Sequence, residues 1–283
     1  MGIKPRAIKG GGMRLEDLSE IDGPLLIFGG AYSNLQATQA LIDAAGRHDI
    51  AAQKCIFTGD SIAYCANPSE TLDLLRVFGC HMIKGNCEIE LSVGSDTCGC
   101  GFEPGSSCDV LSRGWYAYAN EQIKIQQRQF MGALPDHLTF HHHGKRYIVI
   151  HGGYHDISEF LFPTTFDEDF TLINNQVRGD IGAFYAVIAG HSGIPFTRTV
   201  EGVSWLNSGA IGMPAHNGAP STFYAILDAG EFKIHDMTYD YNAAYNAMRL
   251  AGLDQGYHTA LKTGYWPSED VLPLDLRRAA DKG

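Results

Sequence analysis

The chain has no run approaching the roughly 18 consecutive apolar residues that a membrane-spanning helix requires. Its first residues, MGIKPRAIKGGGMRLEDLSE, lack the apolar core of a secretory signal, so a cytoplasmic protein with no membrane partner is expected. Basic residues are also scarce. Against 32 Asp and Glu there are 21 Lys and Arg, a formal charge of −11, which excludes the basic surface that duplex nucleic acid or an anionic membrane demands. A small or locally clamped substrate fits this balance better. Charged residues make up 19% and hydrophobic ones 45% of the 283 residues, so the chain can bury a core and carries no disordered excess of charge. Seven cysteines are an odd number in a chain too large to depend on staples, which favours free thiols or a metal over a full disulfide framework. No internal repeat and no linker-like stretch divides the sequence.

What is present is organised around Cys55-Ile56-Phe57-Thr58-Gly59-Asp60, an apolar run that stops at a glycine and a carboxylate. Such a run reads as a buried strand presenting Asp60 at its C-terminal tip, where open α/β sheets place ligands. Three other segments repeat the plan: HMIKGNCE (81–88), YIVIHGG (147–153) and FYAVIAGHSG (184–193). A carboxylate, an amide oxygen and two imidazoles on strand ends are donors that a transition metal accepts.

In chain order, residues 1–20 are polar and are expected to form a flexible leader, with a single domain over 21–283. Pro24 to Phe28 read as a strand, and Ser33 or Asn34 can cap a helix with apolar positions at Leu35, Ala37, Leu41 and Ile42. After the Asp60 strand comes a helix over SETLDLLRVFG, capped by Ser69, and then a strand entering GNCE. This βαβαβ succession predicts a parallel sheet with covering helices over the first ~90 residues. Between about 92 and 110 the pattern breaks into a Gly- and Ser-rich loop carrying Cys98, Cys100 and Cys108, for which a structural zinc, a disulfide and unligated thiols are alternatives. A helix from Trp115 onward is expected next, then two strands joined by a tight Gly144-Lys145 turn. The segments from Thr197 to Asp240 suggest a second sheet, and YNAAYNAMRLAGL a closing helix.

Taken together, GGAYSNLQA, GDSIAYCANP, KGNCE, VIHGG, AGHSGIP and NSGAIGMP resemble the ordered motifs of the calcineurin-like metallophosphoesterases, the small bacterial phosphodiesterase and phosphatase branch above all. The resemblance covers nearly the whole chain from Leu25 to about Leu272. It implies an α/β fold of two packed mixed sheets flanked by helices, with a metal centre at one edge. It also implies that Asp60, Asn86, His151 and His191 are metal ligands and act catalytically through a metal-bound water. Cys87 falls where many relatives carry a histidine that helps the leaving group. The family's second metal takes the two ligands of a D-x-H motif and the last histidine of G-H-x-H. Those positions are Gly30, Tyr32 and Gly193 here, so all three of its particular ligands are missing.

The function implied is a metal-dependent hydrolase of phosphomonoesters or phosphodiesters, including nucleotides, with one divalent Mn, Fe, Zn or Ni ion at its site. Tyr32 and Asn34 are candidate substrate contacts, and Lys84 and Arg198 are weighed as phosphate contacts against plain surface solvation. His155 and Asp156 are candidate replacement ligands or acid/base groups. A catalytically silent phosphate or nucleotide sensor is the alternative from another class, and a redox centre built on one metal and the cysteine loop is a third.

Overall fold

The computed structural model describes residues 12–278. The chain opens with β1 (Leu15–Glu20) and β2 (Leu25–Phe28), followed by α1 (Leu35–Arg47). Asn34 accepts the Ala37 amide at 3.1 Å, so the expected cap starts α1. Next come β3 (Cys55–Phe57), α2 (Pro68–Phe78), β4 (His81–Met82) and α3 (Asn86–Val93). Helix α2 begins two residues earlier than its Ser69 cap would place it: Pro68, whose ring presets a helical φ, takes the first position and Asn67 the cap. The helix expected from Trp115 is two, α4 (Ser107–Gln122) and α5 (Ile125–Ala133), separated by extended residues Ile123 and Lys124.

The hairpin of β5 (His137–His142) and β6 (Lys145–Val149) turns at His143-Gly144, one residue before the expected place. Both turn residues have positive φ, 51° and 68°, the mirror-image geometry that matches strand twist. After α6 (Asp167–Ile181) follow β7 (Ala186–Ala189), β8 (Phe196–Val200), β9 (Val203–Asn207), β10 (Thr222–Asp228) and β11 (Glu231–Met237), then α7 (Tyr241–Leu250) and α8 (Tyr257–Thr263).

Two mixed sheets result, in the orders β1-β5-β6-β7-β9-β8 and β11-β10-β2-β3-β4. The first ~90 residues supply the parallel run β2-β3-β4, as expected. The segments after Thr197 do not make a sheet of their own: β8 and β9 extend the six-stranded sheet, and β10 pairs antiparallel with β2. Leu15–Glu20 correct the expected leader over 1–20, because they pair in parallel with β5 as an edge strand. The first eleven residues lie outside the described part.

Strand alternation builds the layers. Leu25 and Ile27 point with Tyr147, Val149 and Ile188 into the core between the sheets. Leu26 and Phe28 point the other way, onto Leu41 and Leu75 of α1 and α2. On the far face, Ile148, Val187 and Trp205 pack on Phe170, Ile173 and Val177 of α6. The order helix, sheet, sheet, helix puts the C-terminal ends of β3 and β4 beside those of β6 and β7. Among the described residues no helix is long and apolar enough to cross a membrane.

Candidate metal centre

Each of those four strand ends delivers one side chain. Asp60 follows β3, Asn86 follows β4 and opens α3, His151 follows β6, and His191 follows β7. Two come from each sheet, so the cluster spans the seam of the sandwich. One ligand atom each of Asp60, His151 and His191 lies within 4.8 Å of the other two. His151 Nε2 is 3.3 Å from Asp60 Oδ2, 3.1 Å from Asn86 Oδ1 and 3.2 Å from His191 Nδ1. All four side chains predicted from the sequence therefore converge on one point.

The surroundings aim them. His151 Nδ1 lies 2.7 Å from the Thr58 carbonyl, which can only accept, so that nitrogen carries a proton and Nε2 is the one that can turn a lone pair to the centre. Asn86 Nδ2 donates to the Cys98 carbonyl at 2.9 Å, which leaves Oδ1 facing inward. Phe160 packs over His191 with ring centroids 4.2 Å apart. Asp60 and His191 sit at φ of 62° and 61°, uncommon backbone that marks the two tips. Gly59, at φ 100°, is required there, because a Cβ would stand 2.6 Å from His151 Nδ1 and 2.7 Å from the Gly85 amide.

Burial penalises every charge in the cluster, and proximity answers it. Burial alone would raise the Asp60 carboxyl, but His151 and His191 hold it well below the usual carboxylate range. Burial alone would lower His151, yet Asp60 raises it overall, whereas His191 stays lowered by burial despite Asp60. A divalent cation fits this donor set: one carboxylate, one amide oxygen and two imidazole nitrogens, gathered with no lysine or arginine among them.

Glu88 was not legible as part of the site. Fully buried, its carboxylate accepts from the amides of Asp60, Ser61 and Gly85 at 2.8, 2.7 and 2.7 Å, and from Ser61 Oγ at 2.6 Å. It ties the β3 tip to the start of α3. The Gly85-x-x-Glu88 spacing of a capping box was the available signal. Glu88→Ala would orphan three buried amides at about 1–3 kcal/mol each, so we expect a stability loss of at least about 3 kcal/mol by chemical denaturation.

Several expectations fail here. Asn34 does not reach a substrate: it is 1% exposed, caps α1 and donates to the Gly212 carbonyl and Tyr239 hydroxyl. Lys84 pairs with Asp136 and Arg198 with Asp167, so both cations are engaged elsewhere. His155 and Asp156 are exposed and outside the cluster. In the cysteine loop the structure takes the disulfide alternative, Cys98–Cys100, and leaves Cys108 free; a three-cysteine zinc site is not formed, since two of its sulfurs are bonded to each other.

Tyr32 and Cys87 do lie at the centre. The Cys87 amide donates to Asp60 Oδ1 at 3.3 Å, and burial followed by the charge of Asp60 pushes its thiol well up. The Tyr32 ring occupies the space over Gly30, where a Cβ would stand 2.6 Å from its Cζ. Its hydroxyl would be 3.6 Å from a Cβ at Gly193, as would Trp266 Cζ2. Tyr32, Tyr257, Phe160 and Trp266 line a cavity of about 40 Å³ that opens beside His191.

The calcineurin-like phosphoesterase superfamily domain matches residues 31–231. An uncharacterized protein of Methanocaldococcus jannaschii is 28% identical over 233 residues, 76% of this chain and 87% of that one. Two solved structures share the fold. A metallophosphoesterase from Sphaerobacter thermophilus superposes with a TM-score of 0.65 at 21% identity, covering 86% of this chain and 100% of its own. A hypothetical protein from Pyrococcus horikoshii gives 0.70 at 14% identity, covering 86% and 99%. With two mixed sheets between helices and a match across most of its length, the chain belongs to the calcineurin-like phosphoesterase superfamily.

Proposed function

We propose that this chain is a metal-dependent phosphoric ester hydrolase, acting on phosphomonoesters or phosphodiesters with a single divalent transition-metal ion held by Asp60, Asn86, His151 and His191. The observation that carries the single-ion reading is the Tyr32 ring. It fills the space over Gly30, where a D-x-H aspartate would project, and stands in the histidine's own position. When bound, the ion supplies a polarised phosphoryl oxygen and a water of lowered pKa.

The chain's own groups do the rest. Asp60 brings the negative charge, while Asn86 Oδ1, His151 Nε2 and His191 Nδ1 bring neutral donors of fixed orientation. Burial raises the Tyr32 hydroxyl well above its usual range, so it keeps its proton and can donate to a phosphoryl oxygen at the cavity mouth. The Cys87 thiol is likewise protonated and serves as a hydrogen-bond donor rather than an anion. Aromatic walls beside His191 exclude water from the substrate side. Manganese, iron, zinc and nickel all accept this mixed oxygen and nitrogen set.

The silent-sensor alternative draws on the same feature, because a centre without its second ion loses the clamp on the leaving oxygen. Metal analysis of the purified chain, with hydrolysis of an aryl phosphate and its bis-ester in added Mn²⁺, separates the readings. One equivalent of metal with turnover of either ester is the expected result. Two equivalents would overturn the single-ion reading. An inert protein that still binds phosphate would establish the sensor.

A further inference from the structure

The Cys98-Gly99-Cys100 turn has no part in the proposed hydrolysis. Its disulfide spans only two positions of sequence. So short a loop removes little freedom from the unfolded chain, so stapling does not account for it. What the turn touches is Asn86. The Asn86 amide nitrogen donates to the Cys98 carbonyl at 2.9 Å and lies 3.4 Å from Cys100 Sγ. With the nitrogen committed to the turn, Oδ1 is the atom left to face His151 Nε2. The turn is held from its other side by Ser158, whose Oγ donates to the Gly99 carbonyl at 2.6 Å. Gly99 and Gly101 both have positive φ, 63° and 73°, so the backbone between these anchors is tightly bent. Both cysteines also line a second cavity, of about 780 Å³, together with Asp96, Arg113 and Tyr116. None of the four proposed metal ligands lines that cavity, so a small dithiol entering it would not pass through the metal centre.

We propose that Cys98 and Cys100 are a redox-active pair whose disulfide positions Asn86, so that reducing it weakens metal binding at Asp60, Asn86, His151 and His191. The inference rests on the metal-centre reading above. The reductant is a dithiol: one of its sulfurs attacks the Cys98–Cys100 bond to give a mixed disulfide, and its second sulfur displaces the remaining cysteine. Two electrons and two protons pass to Cys98 and Cys100, and the dithiol leaves as its own disulfide. Once separate, the two thiols no longer fix the Cys98 carbonyl against the Asn86 amide, which is then free to turn. Loss of such an orienting contact typically lowers metal affinity about 10–100-fold.

The test uses the full chain and Mn²⁺ alone, titrated by calorimetry in the oxidised state and after reduction with a water-soluble phosphine. Each phosphine becomes its oxide with the oxygen of one water, whose two protons end on the two sulfurs. Alkylation under denaturing conditions, read by mass spectrometry, counts the thiols. Five are expected before reduction, matching the five unpaired cysteines, and all seven after it. The Mn²⁺ Kd is expected to rise about 10–100-fold on reduction with the far-ultraviolet circular dichroism unchanged. Cys98→Ser/Cys100→Ser should match the reduced protein and ignore the phosphine; the wild-type comparison stands even where that variant folds poorly. Seven thiols before reduction, or equal affinity in both states, overturns the proposal. Mn²⁺ bound in neither state overturns the metal centre itself, and this coupling with it.

Discussion

Asp60→Asn is expected to lower metal affinity by at least ~100-fold and to take ester hydrolysis to background, with the fold intact. Even outer contacts of a metal centre are worth about 10–100-fold, and Asp60 stands inside the cluster. Its Oδ2 is 3.3 Å from His151 Nε2 and 3.9 Å from His191 Nδ1. It is the carboxylate of the three-residue group, so it carries the negative charge that offsets a divalent cation. Glu88 cannot substitute, because its two oxygens already accept from four donors on the other side of the Asp60 backbone. Asparagine keeps the side chain's shape and an oxygen for the Cys87 amide, so the change isolates charge from packing. Calorimetry with Mn²⁺, turnover of an aryl phosphate, and circular dichroism read the three parts separately. Retained metal affinity in Asp60→Asn would place the ion somewhere else.

The centre was legible in the sequence because each of its residues ends an apolar run, a pattern set by the sheet rather than by tertiary detail. Asp60 after CIFTG, His151 after YIVI and His191 after AVIAG announce strand tips. Asn34 was legible as a cap for a local reason, and for the same reason could not also bind substrate: its oxygen and nitrogen are used within its own neighbourhood.

What stayed hidden depends on contacts between distant residues. Strand β1, LEDLSE, is largely exposed, lacks alternation and is held by backbone pairing to β5, which leaves no hydrophobic signature. Helix α3 is only eight residues and begins at Asn86 itself, so it reads as the end of a strand. Placement of β8 and β9 in one sheet and β10 in the other follows from pairing partners, which composition does not specify. Nor could spacing decide between a zinc, a disulfide and free thiols for the cysteine loop, since each requires only that sulfurs meet.

The positions Gly30, Tyr32 and Gly193 give the second large prediction: one substitution alone is expected to fail where three together are expected to recruit a second ion. Gly30→Asp alone would put a Cβ 2.6 Å from Tyr32 Cζ and 2.8 Å from Ala210 Cβ, so overpacking should cost about 1–3 kcal/mol and recruit no ion. The backbone itself is the lesser obstacle: φ at residue 30 is 53°, a region that aspartate tolerates better than most residues. Tyr32→His removes the ring that fills the space, and a Cβ at Gly193 would meet Trp266 and Tyr32 at 3.6 Å, ordinary contact distance. Gly30→Asp/Tyr32→His/Gly193→His therefore supplies the three donors and removes the phenol ring, leaving the 2.8 Å approach of Ala210 Cβ to residue 30 and the φ of 68° at residue 193 to be absorbed by small shifts of the backbone. Bound metal is expected to rise from one to two equivalents per chain. Aryl phosphate turnover should rise about tenfold or more, as a second ion adds its hold on the leaving oxygen. The single variant should lose stability and gain neither. If the triple variant still bound one equivalent with its fold intact, the Tyr32 ring would not be what keeps the second ion out.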